Sequence, residues 1–577
     1  LTAQVNQEMN SMINPATWRR TDAPRGVRRF ALVGPALALL ALFGQSASAA
    51  VCDTTDAPQR TGPAVPAPRA EGAVTIFQGD TDGVDTYRIP GAATTPTGAI
   101  VVAAEQRTLS PLDSDPHSLV SRRSTDGGRT WGAKAEVAPV LTEGVGCIPS
   151  DPVLLAPATG PTAGEVLIIH HCREGSGLRI SRSSDDGASW SPPEPLGLGT
   201  TPQVPQSVID RFRPGPGHGV ELTVGPSAGR LVAAADTSAD GKATLVLVVS
   251  DDGGRSWRIG ATLISDPDSG PIPDETAIAE LADGTLVLSS RNASSKASGR
   301  IFARSSDGGA SFDRWPSGQA LEVDPSVTVP VVQGSLLTTP DGDRAVFASP
   351  SDPTYRRGLA LWTSTTGADW APGPLIVPGP AAYSDLVAVD DDTLGLVVET
   401  GDRNPYERID FVPVPTSRLD EPRTPLPNDF DVAGAVAGRL VVDGKRFSIT
   451  RFCLFSDRVE LDGGYLTADI SGGLDAVKVR LHLDDRGDGR PLDLEGTVAL
   501  DLTSGISYRG TQTDDEGVAH ELDLVMVNFE PCVEPPPGET GVCDNPTSGT
   551  DGADSLADDP AAGPSGAAEP LAPRFTG

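Results

Sequence analysis

The sequence predicts an all-β protein, in which a six-bladed β-propeller is followed by a small β-rich domain and a disordered tail. Glycine (64) and proline (53) are abundant among the 577 residues, while aromatic residues make up only 5%. This composition favours a turn-rich β architecture over long helices. In addition, a turn motif recurs through the middle of the chain, and most copies follow an apolar run such as 244–249.

The recurring motif reads Ser-x-Asp-x-Gly-x-x-Trp or Phe, and it predicts the blades. Four good copies begin at Ser124, Ser183, Ser250 and Ser305, and a shortened copy begins at Ser364. Ser and Asp side chains can bond to nearby backbone N–H groups and Gly supplies a positive φ, so each copy is expected to be a hairpin turn. The terminal aromatic residue is expected to pack the turn onto its own sheet. Because the copies recur about every 55–65 residues, each period holds one four-stranded blade, and residues 73–415 hold about six.

The two ends of the chain predict export and a tail. Residues 1–49 are interpreted as a signal peptide, because a basic stretch precedes the apolar residues 30–43 and Ala47-Ser48-Ala49 fits a cleavage site. Arg28-Arg29 leaves a twin-arginine signal open, and bulky Val51 disfavours a lipid anchor at Cys52. A linker is expected over 50–72. Residues 536–577, mostly Pro, Gly, Ala, Ser, Thr and Asp, are expected to be disordered, and the mature protein to be secreted.

Cysteine usage agrees with an oxidising exterior, where disulfides persist. The six cysteines are enough for two or three bridges. Cys147 and Cys172 could pair within one domain, whereas the connectivity of Cys453, Cys532 and Cys543 stays open.

Residues 420–535 are predicted to form the second, β-rich domain. The run 440–449 reads as strand broken by an Asp-Gly turn, and a further hairpin turn is expected between 477–481 and 492–494. No family is recognised there. The region is either a carbohydrate-binding or wall-associated module or a structural appendage.

The charge balance excludes several classes of partner. A formal net charge of −33 repels nucleic acid and anionic membranes. Beyond the N-terminal segment no apolar run is long enough to span a bilayer. His170-His171-Cys172 is not interpreted as a metal site, since adjacent residues on a strand point to opposite faces. No nucleic acid, membrane span, metal or cofactor is therefore expected.

Short motifs outside the repeats occur in a family-like order. Tyr87-Arg88-Ile89-Pro90 precedes the first copy of the repeat, and Ala382-Tyr383-Ser384-Asp385 follows the last. Together with the repeat, which is the Asp-box, they resemble the bacterial secreted exo-α-sialidase (neuraminidase) family over about residues 73–415. The resemblance implies a β-propeller that cleaves terminal sialic acid from glycoconjugates.

The resemblance also implies a substrate-binding set of arginines. Arg88, Arg291 and Arg356 would bind the carboxylate of the sugar, with Arg357 as the alternative to Arg356. Glu399 in Gly395-Leu-Val-Val-Glu399 matches the carboxylate that braces the first arginine of the family.

The catalytic residues follow from the same resemblance. Tyr383 would be the nucleophile, and Glu275 in Pro273-Asp-Glu275-Thr its base. Asp113 is preferred as the acid/base residue, with Asp115 as the alternative in the same loop. Arg107 is expected to line the pocket beside this Asp, or else to form a salt bridge within the loop.

Elementary chemistry makes this set coherent. A sialic acid carries a carboxylate on its anomeric carbon, and guanidinium groups bind carboxylates through paired planar N–H bonds. Clustered cations need a brace of opposite charge. The substrate's charge would repel an Asp or Glu nucleophile, whereas a phenol with a pKa near 10 avoids this but needs a base. Tyr nucleophiles make sialidases an exception to two-carboxylate glycosidases. An Asp that protonates the leaving oxygen and then activates water gives net retention.

The function predicted is therefore that of a retaining exo-α-sialidase with a covalent tyrosyl intermediate. Its substrates would be sialylated glycoproteins, glycolipids or oligosaccharides, and it would act as a monomer. One alternative is a non-catalytic Asp-box propeller that binds glycans or proteins. Another is a related hydrolase or transferase that acts on another 2-keto acid sugar.

Overall fold

The computed structural model describes residues 68–426 and 437–527, each with short gaps. The gaps are 110, 112, 114–115, 141–146, 174–176, 240–241, 266–269, 295–298, 354 and 403 in the first range, and 444, 453–457, 462–463, 470–476, 485–490, 499–505 and 515–517 in the second. The predicted signal peptide, most of the linker, the tail and Asp115 lie outside these residues. Strands dominate the described part, whose α-helix is the single turn Gln206–Ile209, so the all-β class is confirmed.

Short 3-10 turns lie between strands at Gly160–Thr162, Gly225–Ser227 and Thr416–Asp420. Among the described residues, no helix has the length and apolar character that a membrane crossing requires.

Four sheets of four or five strands follow one another along the chain. Sheet I contains Thr86–Thr94, Ile100–Arg107, His117–Ser124 and Ala135–Ala138. Sheet II contains Pro149–Leu155, Val166–Cys172, Leu178–Ser183, Glu194–Pro195 and the short Gly217–His218. Sheet III contains Arg213–Pro214, Val220–Glu221, Leu231–Ala239, Lys242–Ser250 and Arg258–Ser265. Sheet IV contains Pro273–Glu280, Leu286–Asn292, Arg300–Ser305 and Glu322–Asp324.

Sheet V has seven strands, which form two groups of four that share one long strand. It contains Val74–Gln78, Ser335–Thr338, Ala345–Pro350, Arg357–Ser364, Ala371–Asp390, Thr393–Thr400 and Arg408–Pro415. The 20-residue strand Ala371–Asp390 pairs with Arg357–Ser364 through its first half and with Thr393–Thr400 through its second. Five sheets thus occupy the range for which six blades were expected, and the six-blade count stays a prediction.

Contacts between inner strands link sheets I to V in a closed ring, in which Arg213–Pro214 joins sheet III to Pro149–Leu155 of sheet II. Thr86–Thr94 contacts Pro149–Leu155 on one side and Ala371–Asp390 on the other. Pro273–Glu280 likewise contacts Leu231–Ala239 and Ser335–Thr338. The ring is closed in sequence as well, because Val74–Gln78 from its beginning pairs antiparallel with Arg408–Pro415 from its end. Side chains carried at the same end of these strands therefore meet at the centre of the ring.

The repeated motif forms the hairpin turns that it predicted. In the first copy, Ser124 Oγ donates to Asp126 Oδ1 at 2.8 Å and accepts the N–H of Gly128 at 2.9 Å. Asp126 in turn accepts the N–H of Thr130 at 2.9 Å. The same pattern recurs at Ser183, Ser250 and Ser305. Each of these four turns joins the last two strands at one edge of its sheet.

The terminal aromatic residues of the first two copies pack against clusters that combine their own sheet with the neighbouring one, which the expectation did not include. Trp190, which ends the copy in sheet II, donates its indole N–H to Ser121 of sheet I at 2.9 Å. Trp131 of sheet I lies edge-on to Phe411 of sheet V, with ring centroids 5.7 Å apart. These aromatic residues therefore join neighbouring sheets, because the turn extends beyond the end of its own sheet and faces the preceding one.

A disulfide joins two neighbouring strands at the inner end of sheet II. Cys147 and Cys172 are bonded, with their Cα atoms 4.8 Å apart. Cys172 ends the strand Val166–Cys172 and lies opposite Pro149 in the ladder. The disulfide therefore fixes the start of the innermost strand of this sheet.

The second region is an eight-stranded antiparallel sheet. Its strands are Ala437–Val442, Lys445–Phe452, Arg458–Leu461, Gly464–Asp469, Val477–Leu483, Leu492–Val498, Ile506–Thr513 and Ala519–Val527. The first strand pairs with the last, which curls the sheet onto a core made almost entirely of leucine. Both predicted hairpins are present, at 442–445 and between Val477–Leu483 and Leu492–Val498.

Candidate active site

Bulges interrupt four of the innermost strands at corresponding places. The register slips between Arg88 and Gly91, Ser150 and Val153, Asp274 and Thr276, and Ala381 and Ser384. Within three of these bulges a residue has positive φ: Ile89 (56°), Asp151 (55°) and Glu275 (44°). Such values are rare outside glycine, above all for a β-branched residue, and cost about 1–3 kcal/mol each. Because bulges re-aim side chains beside active sites, they mark this end of the ring as the candidate site.

Tyr383 and Glu275 meet across the ring. The Tyr383 hydroxyl donates a hydrogen bond to Glu275 Oε1, and Glu275 Oε2 accepts one from Arg291 Nη1 at 3.0 Å. The same Arg291 nitrogen lies 3.2 Å from the Tyr383 oxygen. The phenol therefore faces a carboxylate that can take its proton and a cation that can stabilise the resulting oxyanion.

Arg88 and Glu399 form a buried ion pair next to this phenol. Arg88 Nε donates to Glu399 Oε1 at 2.8 Å, and both side chains are almost fully buried. Glu399 also accepts the backbone N–H of Ile89 at 2.7 Å and that of Tyr383 at 3.1 Å. One carboxylate thus braces the arginine, the strained residue after it and the backbone of the tyrosine.

Arg356 completes the cluster of three arginines. Its guanidinium carbon lies 5.6 Å from the centre of the Tyr383 ring, and that of Arg88 lies at 5.3 Å. Arg356 Nη1 donates to the hydroxyl of Tyr406 at 2.7 Å. Arg357 instead pairs with Asp352 at 2.6 Å, so Arg356 is the residue at the cluster.

The surroundings set the charge states of the cluster. Burial raises the pKa of Tyr383 well above its ordinary value and Glu275 adds to this, against the lowering by the three arginines. The resting side chain is therefore a neutral phenol. Burial alone would lower the pKa of Arg88 and Arg291, but Glu399 and Glu275, respectively, hold these values above the ordinary range. Three guanidinium groups against two carboxylates leave one net positive charge, which suits a substrate carboxylate.

Pro111 and Asp113 both contact Arg107. Arg107 is fully buried: its Nε donates to Glu105 Oε2 at 3.0 Å, and its Nη1 lies 2.7 Å from Asp113 Oδ1. Arg107 therefore forms the salt bridge that was one of its two expected roles, and its place beside the substrate stays a prediction. Asp113 is 58% exposed, so it remains accessible to solvent and substrate. Partial desolvation by the surrounding protein would raise its pKa, but Arg107 above all holds the pKa of Asp113 below its ordinary value.

Several residues of the site carry no motif that identified them in the sequence. Glu105 is fully buried, pairs with Arg107 and accepts the backbone N–H of the bulged Asp151 at 3.0 Å. Asp151 has a pKa raised to about 7, first by burial and then by Glu105. Tyr406 lies under Arg88, whose guanidinium carbon is 4.1 Å from the ring centre. The one signal available was position, since Glu105 is two residues before Arg107 on the same strand.

A second ion cluster, in which only Asp236 is fully buried, holds the base. Arg213 Nη2 lies 2.9 Å from Asp236 and 2.7 Å from Asp274, and Asp236 Oδ2 accepts the backbone N–H of Glu275 at 3.0 Å. These contacts fix the strained backbone that directs Glu275 towards Tyr383. Among the described residues, no group of His, Cys, Asp and Glu could hold a metal ion.

The chain is similar in sequence to several known sialidases. A family model described as a BNR repeat-like domain matches residues 152–397. The sialidase of Micromonospora viridifaciens is 30% identical over 395 residues, which cover 64% of this chain and 57% of that protein. Sialidase-3 of Mus musculus is 25% identical over 409 residues, which cover 58% of this chain and 93% of that protein. The chain thus spans little more than half the length of the bacterial relative.

A more distant likeness is found among solved structures. The structure described as Hadza microbial sialidase Hz136 has a TM-score of 0.49 and 21% identity, over 60% of this chain and 69% of that one. It is too distant to carry an argument by itself. The family model and the sequence relatives confirm the resemblance that the ordered motifs indicated.

Proposed function

The chain is related to the bacterial sialidases, and we propose that it is an exo-α-sialidase that hydrolyses terminal sialic acid with retention through a covalent tyrosyl intermediate. The observation that carries the proposal is the Tyr383 hydroxyl bonded to Glu275 beside Arg88, Arg291 and Arg356. A non-catalytic glycan-binding propeller needs no phenol paired with a base. The proposed substrates are sialylated glycoproteins, glycolipids or oligosaccharides.

In the first step, the three arginines hold the carboxylate of the sugar and place its anomeric carbon above Tyr383. Glu275 takes the phenolic proton as the oxygen of Tyr383 bonds to that carbon. The protonated form of Asp113, whose fraction grows as the pH falls, donates its proton to the departing glycosidic oxygen. Arg291, 3.2 Å from the phenolic oxygen, stabilises the negative charge that develops there.

In the second step, Asp113, now a carboxylate, takes a proton from water. The water oxygen attacks the anomeric carbon from the side that the leaving group occupied. The bond to Tyr383 breaks, and Glu275 returns the proton to the phenol. Two displacements at one carbon give net retention.

We also propose that the protein acts outside the cell. The disulfide between Cys147 and Cys172 supports this location, because disulfides persist in oxidising compartments. The role of the eight-stranded sheet in substrate binding stays open.

The test is hydrolysis of an aryl α-sialoside by the full chain, with the first-formed anomer read by NMR. Tyr383→Phe is expected to lower kcat on the order of 10²-fold or more, because the phenolic oxygen is lost. Tyr465→Phe, a matched change in the eight-stranded sheet, is expected to leave kcat unchanged. Full activity of Tyr383→Phe, or an inverted first product from the wild type, would refute the mechanism.

A parallel assay separates the related activities. Sialyllactose, a glycoside of another 2-keto acid sugar, and sialyllactose with an added sugar acceptor are incubated with the wild type. Free sialic acid as the main product supports hydrolysis, whereas a sialylated acceptor identifies a transferase. Cleavage of the other keto-sugar glycoside alone would reassign the substrate.

A further inference from the structure

Among the described strands, none pairs with one edge of the second half of Ala371–Asp390. Its partner Arg357–Ser364 pairs with it only as far as Pro380, whereas Thr393–Thr400 covers the opposite edge up to Asp390. The nucleophile Tyr383 lies within this half, at the bulge between Ala381 and Ser384. The backbone groups on the open edge need other partners, because a buried polar group left unpaired costs about 1–3 kcal/mol.

The side chain of Gln333 supplies two of those partners, and Ser335 Oγ accepts the N–H of Leu386 at 2.9 Å. Gln333 Oε1 accepts the N–H of Ser384 at 3.1 Å, and its Nε2 donates to the carbonyl of Ser384, also at 3.1 Å. The amide thus occupies both backbone groups of the residue that follows Tyr383, as a neighbouring strand would. Nε2 also donates to the carbonyl of Pro216 at 3.1 Å, and Gln333 is only 1% exposed.

The two residues before Gln333 contact the same site. The carbonyl of Val331 accepts a bond from Arg356 Nη2 at 3.3 Å. Val332 is buried in one apolar cluster with Tyr383 and Tyr406, and its carbonyl accepts a bond from the buried Arg300 at 2.8 Å. Residues 331–333 therefore support the third arginine, the phenol ring and the backbone of the nucleophile together.

We propose that Gln333 is a positioning residue that fixes the orientation of Tyr383 through the backbone of Ser384. This inference rests on the proposed function, because it assigns a role relative to the nucleophile. A rotation of the Ser384 peptide turns the bulge and moves the phenolic oxygen away from Glu275. Misplacement of a reacting atom by about 1 Å can cost about 10²-fold in rate.

Two substitutions test the role in the full chain. Gln333→Leu removes all three hydrogen bonds. Gln333→Glu keeps an acceptor for the N–H of Ser384 but places a carboxylate oxygen 3.1 Å from two carbonyl oxygens. Only when this Glu is protonated can it donate to one of them. Gln203→Leu, at an exposed position in the loop before Gln206–Ile209, is the matched control.

The readout is kcat and KM for an aryl sialoside, with thermal unfolding as the check on folding. Gln333→Leu is expected to lower kcat about tenfold or more while KM changes less than about threefold, since the arginines still hold the carboxylate. For Gln333→Glu, the ratio of its kcat to that of the wild type is expected to rise as the pH falls. Gln203→Leu is expected to behave as the wild type.

The possible results separate this inference from the proposed function. A folded Gln333→Leu with unchanged kcat, or with a change in KM alone, would overturn the positioning role. If Gln333→Leu does not fold, a pH-independent ratio for Gln333→Glu would overturn it. A wild type that leaves every sialoside intact would overturn both proposals, whereas activity that survives the loss of Gln333 leaves the proposed function standing.

Discussion

Glu399 Oε1 lies 2.8 Å from Arg88 Nε, although the two residues are 311 positions apart in the sequence. The other oxygen of this carboxylate accepts the backbone N–H of Tyr383 at 3.1 Å. The carboxylate therefore connects the arginine proposed to bind substrate with the residue proposed to attack it. Because Glu399 bonds to both, the buried guanidinium of Arg88 and the bulged strand of Tyr383 are held together by the protein and need no water.

Glu399→Gln is expected to impair both binding and catalysis. The amide keeps the shape and one acceptor oxygen, but it removes the negative charge that balances Arg88. Truncating one partner of a buried pair costs about 3–5 kcal/mol, and the amide retains part of this, so a fall in kcat/KM of about tenfold to a hundredfold is expected. Steady-state kinetics with an aryl sialoside measure it. Exposed Glu194→Gln is the control, and equal kinetics of the two variants would contradict the bracing role.

Asp113→Ala is expected to impair substrates with poor leaving groups far more than those with good ones. A good leaving group departs without a proton, whereas a sugar hydroxyl needs the acid. The measurement compares kcat/KM for an activated aryl sialoside and for sialyllactose. Asp115→Ala is the counterpart in the same loop. If Asp115→Ala produces the leaving-group dependence and Asp113→Ala does not, the acid/base assignment moves to Asp115.

Arg107→Gln is expected to shift the pH dependence of kcat/KM upwards. Partial desolvation acts to raise the pKa of Asp113, but Arg107 holds it below the ordinary value, so the free protein carries a carboxylate there at neutral pH. Removing the cation raises this pKa, so the proposed acid stays protonated to higher pH and the alkaline limb moves up. Profiles that extend below about pH 4 report the shift, because the lowered pKa of Asp113 places the wild-type limb there and kcat/KM follows the free enzyme. Arg107→Lys keeps the cation, and a limb that stays in place or moves down in Arg107→Gln would contradict the pairing.

The pair of Arg107 and Asp113 also affects how the stability of the fold depends on pH. The folded-state pKa of Asp113 is lowered, so its stabilising contribution is present above the unfolded value of about 3.9 and is lost as the pH falls through the folded value. Glu105, buried beside Arg107, has its pKa lowered to about 2; burial opposes this and Arg107 brings it about. The free energy of unfolding of the wild type is therefore expected to fall at low pH, as these carboxylates are protonated. For Arg107→Gln, the free energy of unfolding is expected to change less with pH.

Gly128→Ala is expected to destabilise the fold more than Gly98→Ala. Both glycines have φ near +83°, so alanine is strained equally at the two sites. A Cβ at Gly98 meets no atom within 4 Å, whereas at Gly128 it collides with the ring of Phe411 in the neighbouring sheet. The strain costs about 1 kcal/mol, and overpacking at Gly128 adds about 1–3 kcal/mol. Urea unfolding measures both, and equal midpoints would contradict the role of the turn in joining sheets.

The repeated turns were predictable because their hydrogen bonds are local. Ser124, Asp126 and Gly128 are hydrogen-bonded to one another within five residues. The residue types alone therefore specify the turn. The strands around them follow from apolar runs, and the two hairpins of the eight-stranded sheet follow from the same kind of signal. The direction of Trp131 and Trp190 was not predictable, because it depends on which sheet lies beside the turn.

The candidate site was predictable only where short motifs resemble a known family. Arg88, Glu275, Arg291, Arg356, Tyr383 and Glu399 lie together as the resemblance implied, although their roles and the domain boundaries stay predictions. Gln333 and Glu105 carry no such signal. A glutamine in an irregular segment and a glutamate on a strand resemble solvated residues until burial is known.

The sequence by itself determined the all-β class, the repeated turns and the identity of the residues that gather at the site, because these depend on neighbours a few positions apart or on motifs. Only the tertiary structure decided that Arg107 pairs with Asp113, that the indole of Trp190 reaches another sheet, and that Gln333 completes the edge of the strand that carries Tyr383. The physical reason is that a buried polar group takes whichever partner the closed ring brings to it, and that partner comes from a distant part of the chain.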